Sequence, residues 1–81
     1  MSITVLFFAS LADATGVRET VVDSTACPDV ASVYACLSER FPRLAAHASA
    51  VLCSVNSNYA CPDAPVRDGD EVAFFPPVSG G

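Results

Sequence analysis

Residues 27–42 read CPDVASVYACLSERFP, and this stretch decides the fold. Val30, Val33, Tyr34, Leu37 and Phe41 recur at intervals of three and four, which places them on one stripe of a 3.6-residue helix. Pro28 suits the first helical position, where its missing N–H costs nothing, and Asp29 suits the positive end of the helix dipole. Pro42 stops the helix, because its ring clashes with the preceding turn. The stretch therefore predicts one amphipathic helix, whose apolar stripe needs a sheet to lie on.

The flanking segments supply that sheet. Upstream, ITVLFFA (3–9) alternates as a strand, with Ile3, Val5 and Phe7 on one face and Thr4, Leu6 and Phe8 on the other. SLADATG (10–16) breaks the pattern, with Gly16 as a turn or helix-stop signal, and VRETVVD (17–23) predicts a second strand antiparallel to the first. Downstream, RLAAHASA (43–50) suggests a short helical turn. VLCSVN (51–56) predicts a third strand with Val51, Cys53 and Val55 in phase, and SNYACPDAP (57–65) is irregular apart from a short strand around Tyr59. RDGDE (67–71) signals a turn, and EVAFF (71–75) is the last strand, with Val72 and Phe74 on one face and Ala73 and Phe75 on the other. One helix and a mixed sheet make an α+β domain. With the helix as a crossover, the first and last strands sit side by side at the sheet's centre, which is the β-grasp, or ubiquitin-like, arrangement. The expected division is a β-grasp domain over 1–75 and an extended tail over 76–81.

Composition bounds the function. A chain of 81 residues forms one domain with one modest core. Its net charge is −5, and the four basic residues, Arg18, Arg40, Arg43 and Arg67, are scattered; there is no lysine. Nucleic acids and anionic membranes demand a clustered basic face, so neither is an expected partner. A partner with a basic docking surface is favoured instead. The first sixteen residues lack a basic n-region, and their apolar run is too short to span a membrane, so a soluble cytoplasmic protein is expected.

Cys27, Cys36, Cys53 and Cys61 are separated by eight, sixteen and seven residues. These spacings match neither zinc nor iron–sulfur motifs and predict ordinary reduced thiols. His47 reads as a surface histidine, and Asp68, Asp70 and Glu71 as a solvated turn rather than a cation site. No residue pattern resembles a nucleophile with its activating base or a phosphate loop. The domain is expected to have no activity alone, no metal and no bound cofactor.

The remaining chemistry lies in FFPPVSGG (74–81). Pro76 and Pro77 keep the root of the tail extended. Gly80 and Gly81 let the backbone enter a narrow site that side chains would obstruct. Gly81 offers a carboxylate, inert towards acyl transfer until ATP converts it to an adenylate. Phe8 and Phe75 are each out of phase with the core residues of their strands and should be neighbours, with Tyr59 beside them. That predicts an exposed aromatic docking patch.

VLFFA (5–9), the pair Val55–Asn56, and above all DGDEVAFFPPVSGG (68–81) resemble the small subunits of molybdopterin synthase. The resemblance implies a sulfur carrier whose terminal glycine, Gly81, is adenylylated by a ubiquitin-activating-type enzyme using ATP. Persulfide sulfur then converts it to a thiocarboxylate. It also implies that Gly80 threads a channel of the large subunit, in a heterotetramer of two small and two large subunits. Phe8, Tyr59, Phe75, Pro76, Pro77 and Val78 would contact that partner while the sulfur builds the dithiolene of molybdopterin. The chain departs from the family pattern at Leu11-Ala12-Asp13, where an Arg-Glu pair is often found, and at Tyr59, where an aliphatic residue is usual. Three other readings share parts of this pattern. A thiamine-pathway sulfur carrier shares the tail chemistry, a ubiquitin-like modifier would join target lysines, and an iron–sulfur β-grasp protein is disfavoured by the cysteine spacing.

Overall fold

A computed structural model describes residues 1–45 and 51–76. The elements run β1 (Ser2–Phe7), α1 (Ser10–Thr15), β2 (Glu19–Asp23), a 3-10 turn (Ser24–Ala26), α2 (Val30–Arg40), β3 (Leu52–Val55), β4 (Asn58–Ala60) and β5 (Glu71–Phe75). The five strands form one sheet in the order β2-β1-β5-β3-β4. β1 pairs parallel with β5 and antiparallel with β2, while β3 pairs antiparallel with β5 and β4. These directions make β2 and β3 parallel, so α2 is the crossover that carries the chain over the two central strands. The expected β-grasp topology is the one observed.

Alternation places the core where the pattern predicts it. Ile3, Val5 and Phe7 of β1 and Val72 and Phe74 of β5 are buried, and they meet Val30, Val33 and Leu37 of α2. Phe74 is held between Phe7, stacked at 6.3 Å, and Tyr34, edge-on at 5.1 Å. Phe41 meets Phe7 edge-on at 6.1 Å. Half-buried Tyr34 satisfies its hydroxyl by donating to the Leu44 carbonyl.

The ends of α2 differ slightly from expectation. Asp29 is the N-cap rather than a first-turn residue, and its carboxylate accepts from Ser32 N–H at 2.8 Å. Pro28 therefore precedes the helix. The other free donors of the first turn find backbone partners, Val30 N–H with the Ala64 carbonyl and Ala31 N–H with that of Pro62. At the far end Phe41 is the C-cap and Pro42 begins a 3-10 turn over residues 42–45. Arg40 reaches edge strand β2, where its guanidinium donates to the Val21 carbonyl and to Thr20 Oγ1, both at 3.0 Å. His47 and the rest of the suggested helical turn, residues 46–50, lie outside the described residues.

Two features go beyond the sequence reading. The segment read only as a break contains helix α1, which buries Leu11 and ends at Gly16 in the left-handed conformation. Six residues are too few for a periodic signal, so only its stop was legible. The loop entering α1 is strained. Ala9 has φ 52° and ψ −127°, and Leu11 N–H bonds the Phe8 carbonyl at 3.1 Å. This is the first central position of a type II′ turn, which favours glycine.

Ala9→Gly should relieve strain worth about 1–3 kcal/mol and lose part of it to the greater freedom of the unfolded chain. A net gain of about 1 kcal/mol, or roughly 4–8 °C in melting temperature, is expected by calorimetry. A fall in melting temperature would show that the turn holds no strain.

Candidate functional site

Helix α2 covers one face of the sheet, and the residues out of phase with the core form the other. On β1 these are Thr4, Leu6 and, just past the strand, Phe8; on β5 they are Glu71, Ala73 and Phe75. Phe8 is tied to the end of β5 by its N–H, which donates to the Phe74 carbonyl at 3.1 Å. Its ring meets Phe75 edge-on at 6.5 Å. Tyr59 meets the same ring from the opposite side at 5.8 Å. Between Tyr59 and β5 the register places only Ser54, so a small side chain leaves the two rings room to meet. Phe8 is 49% exposed and Tyr59 is 81% exposed, while Phe75 lies half-buried between them.

The three aromatics named from phase alone thus converge on the end of β5. Leu52, 39% exposed and paired in register with Phe75, extends the patch. The sequence reading missed it, although Leu52 is out of phase with Val51, Cys53 and Val55 by the same logic. Glu71 and Glu19 are exposed on the same outward phase, opposite Thr4 and Leu6. The apolar patch is therefore flanked by carboxylates, which suits a partner with basic groups around its docking surface.

The chain leaves the sheet at this patch. β5 ends at Phe75, and Pro76 follows, half-buried. Pro77, Val78, Gly80 and Gly81 lie outside the described residues. The six residues from Pro76 to Gly81 reach at most roughly 20 Å when extended.

The opposite end of β5 is held by a polar clamp. Asn56 and Ser57 take φ 51° and 72°, the two-residue hairpin turn joining β3 to β4. Asn56 Oδ1 accepts from Glu71 N–H at 3.0 Å, its Nδ2 donates to Asp70 at 3.1 Å, and its own N–H donates to the Glu71 carbonyl at 2.8 Å. Asp70 also accepts from Arg67 N–H at 2.8 Å. Asp68 accepts from Ser2 N–H at 2.7 Å. These aspartates serve the turn, and among the described residues no group of three or more His, Cys, Asp or Glu could hold a metal. The role of Asn56 was not read from sequence, since its three partners come from a segment some fifteen residues away.

The Asn56 side chain, and next the Arg67 N–H, hold the Asp70 carboxyl below the usual carboxylate range. A depressed folded-state pKa adds stability above the unfolded pKa and loses it as pH falls through the folded value. The melting temperature should therefore fall on acidification below about pH 4, and Asp70→Ala should flatten that fall. An unchanged acid profile in the variant would count against this clamp.

The two buried thiols, Cys27 and Cys53, are held away from activation. Cys53 donates to the Ala60 carbonyl at 3.0 Å, and burial pushes its pKa up, away from the reactive thiolate. All four cysteines are free. Among the described residues no helix is long and apolar enough to cross a membrane.

Comparison with known proteins bears on the family and the fold. The family model described as the ThiS family matches residues 5–81. The molybdopterin synthase sulfur carrier subunit of Escherichia coli is 41% identical over 81 residues, covering 98% of this chain and 99% of that protein. The Arabidopsis thaliana protein of the same name is 34% identical over 84 residues, covering all of this chain and 84% of the relative. Among solved structures, SAMP1 from Haloferax volcanii superposes with a TM-score of 0.88 at 29% identity, with both chains fully covered. Matches of this extent show the family: the chain belongs to the ThiS family, as a sulfur carrier of the molybdopterin synthase type.

Proposed function

We propose that Gly81 carries the sulfur. Its carboxylate attacks the α-phosphate of ATP in a ubiquitin-activating-type adenylyltransferase, releasing pyrophosphate and leaving an acyl adenylate. The outer sulfur of a donor persulfide displaces AMP to give an acyl disulfide. A second thiol attacks the donor's sulfur of that bond, releasing the thiocarboxylate and leaving a disulfide on the donor. The loaded tail then enters the large subunit of molybdopterin synthase, with Gly80 threading the channel, and gives up sulfur to the dithiolene of molybdopterin. Two small and two large subunits form the working assembly, in the cytoplasm where ATP is at hand. The domain positions a substrate that is part of itself.

One observation carries this reading. The aromatic patch of Phe8, Tyr59, Phe75 and Leu52 surrounds the point where β5 hands the chain to Pro76. A partner that docks on this patch receives the tail root at a fixed position, so the short tail enters its site without a search. Pro76, Pro77 and Val78 keep that path extended.

The test is intact mass after incubation with activating enzyme, ATP and a persulfide donor. One terminal oxygen should be replaced by sulfur, located on the C-terminal peptide, and the gain should disappear on addition of large subunit and pterin precursor. A mass gain on Cys27, Cys36, Cys53 or Cys61 would overturn the assignment. A second reading has its own support, because the Haloferax volcanii neighbour is called a small archaeal modifier protein. If this chain modifies proteins, isopeptide adducts of Gly81 on target lysines will appear with activating enzyme and ATP alone.

A further inference from the structure

Cys27 and Cys36 play no part in sulfur transfer as read above, yet the fold brings them together. Cys27 follows the 3-10 turn and is fully buried. Its Sγ lies 3.9 Å from the Ser32 carbonyl oxygen. Within α2 that carbonyl receives the N–H four residues on, which is Cys36. Helical side chains lean towards the N-terminus, so Cys36 lies back over the same turn. Cys36 is half-buried and packs on the rim of the core. Burial, and next the neighbouring Cys36 thiol, push the Cys27 thiol's pKa up.

The other two cysteines are arranged differently. Cys53 sits opposite Ala60 in register and its thiol is engaged by that residue's carbonyl at 3.0 Å, with the Cys61 thiol near enough to add to the upward push of burial on its pKa. Cys61 is exposed.

We propose that Cys27 and Cys36 are a reversible dithiol–disulfide pair, a site of oxidative modification by hydroperoxides on the helix layer of the domain. Cys36, the more accessible thiol, attacks the O–O bond of hydrogen peroxide. It becomes a sulfenic acid, and one water leaves. Cys27 then attacks that sulfur, forming the S–S bond and expelling the oxygen as a second water. Two thiols lose two electrons and two protons, and one peroxide becomes two waters. A dithiol reductant reverses the change. The bond ties the entry of α2 to its second turn on the face opposite the aromatic patch, so the oxidised carrier keeps its docking surface. This inference does not rest on the sulfur-transfer reading.

Tryptic mapping tests it cleanly. Cleavage after Arg18 and Arg40 leaves Cys27 and Cys36 on peptide 19–40, and cleavage after Arg43 and Arg67 leaves Cys53 and Cys61 on peptide 44–67. The full chain is treated with a slight excess of hydrogen peroxide, alkylated after denaturation and digested. Peptide 19–40 should be two hydrogens lighter and unalkylated, while peptide 44–67 carries two alkyl groups. Dithiothreitol before alkylation should restore two alkyl groups to peptide 19–40. In Cys36→Ser, a mild change at a half-buried site, Cys27 should be alkylated after the same treatment. Two alkyl groups on peptide 19–40 of the oxidised wild type would overturn the proposal. So would closure within peptide 44–67 instead, or a sulfinic acid at Cys36 beside an alkylated Cys27.

Discussion

Deleting Gly80 and Gly81 is expected to abolish sulfur loading while leaving the melting temperature almost unchanged. The core closes on Phe74, and β5 ends at Phe75. Removing two glycines beyond the prolines therefore takes nothing from the hydrophobic cluster. As for other changes outside the core, stability should stay within about 0.5 kcal/mol. Loading, in contrast, should be lost outright. The shortened chain ends two residues short of the point where its carboxylate would meet ATP in a site built for the full tail, and Ser79 would bring a side chain where backbone alone fits. Adding one residue after Gly81 should have the same effect, because it displaces the reactive carbon. The measurement is intact mass after incubation with activating enzyme, ATP and persulfide donor, alongside thermal unfolding of each variant. A truncated protein that still gains sulfur, or still supports dithiolene synthesis, would remove Gly81 from its assigned role.

The second large effect separates two adjacent phenylalanines. Phe74 is 1% exposed and packs between Phe7 and Tyr34. Phe74→Ala leaves a cavity at the centre of the core, and a loss of about 3–5 kcal/mol is expected, a large share of the stability of a domain this small. Partner binding should fall only as far as the folded fraction falls. Phe75 points to the other face, between Phe8 and Tyr59. Phe75→Ala should change stability by less than about 1 kcal/mol. It should weaken the complex with the large subunit by about 2 kcal/mol or more, roughly 30-fold, as truncation of a central aromatic anchor does. Urea unfolding and titration calorimetry on the two variants decide the matter. If Phe75→Ala destabilises the domain as much as Phe74→Ala and binds normally, the outer face is not the docking surface.

The legibility of this chain follows from the range of each interaction. The amphipathic period of residues 27–42, the alternation in β1 and β5, and the order of the elements are local patterns, so the sequence alone determined one helix on a mixed sheet. Phase within a strand is local as well, which is why Phe8 and Phe75 could be assigned to the outer face before their rings were seen 6.5 Å apart. The glycine pair and the prolines before it were likewise legible, because their chemistry needs no neighbours.

Tertiary structure decided the rest. Leu52 joins the patch because antiparallel register sets it opposite Phe75, and register depends on pairing across the sheet. Asn56 clamps β5 through Asp70 and Glu71, partners that only chain folding brings near. Ala9 departs from the sequence-level rule that such a turn wants glycine, since packing of α1 and the tie from Phe8 to Phe74 hold it there. Cys27 and Cys36 looked unrelated at a spacing of eight intervening residues. They become neighbours because the Cys27 thiol packs over the first turns of α2 against the Ser32 carbonyl, a contact that no periodic pattern records.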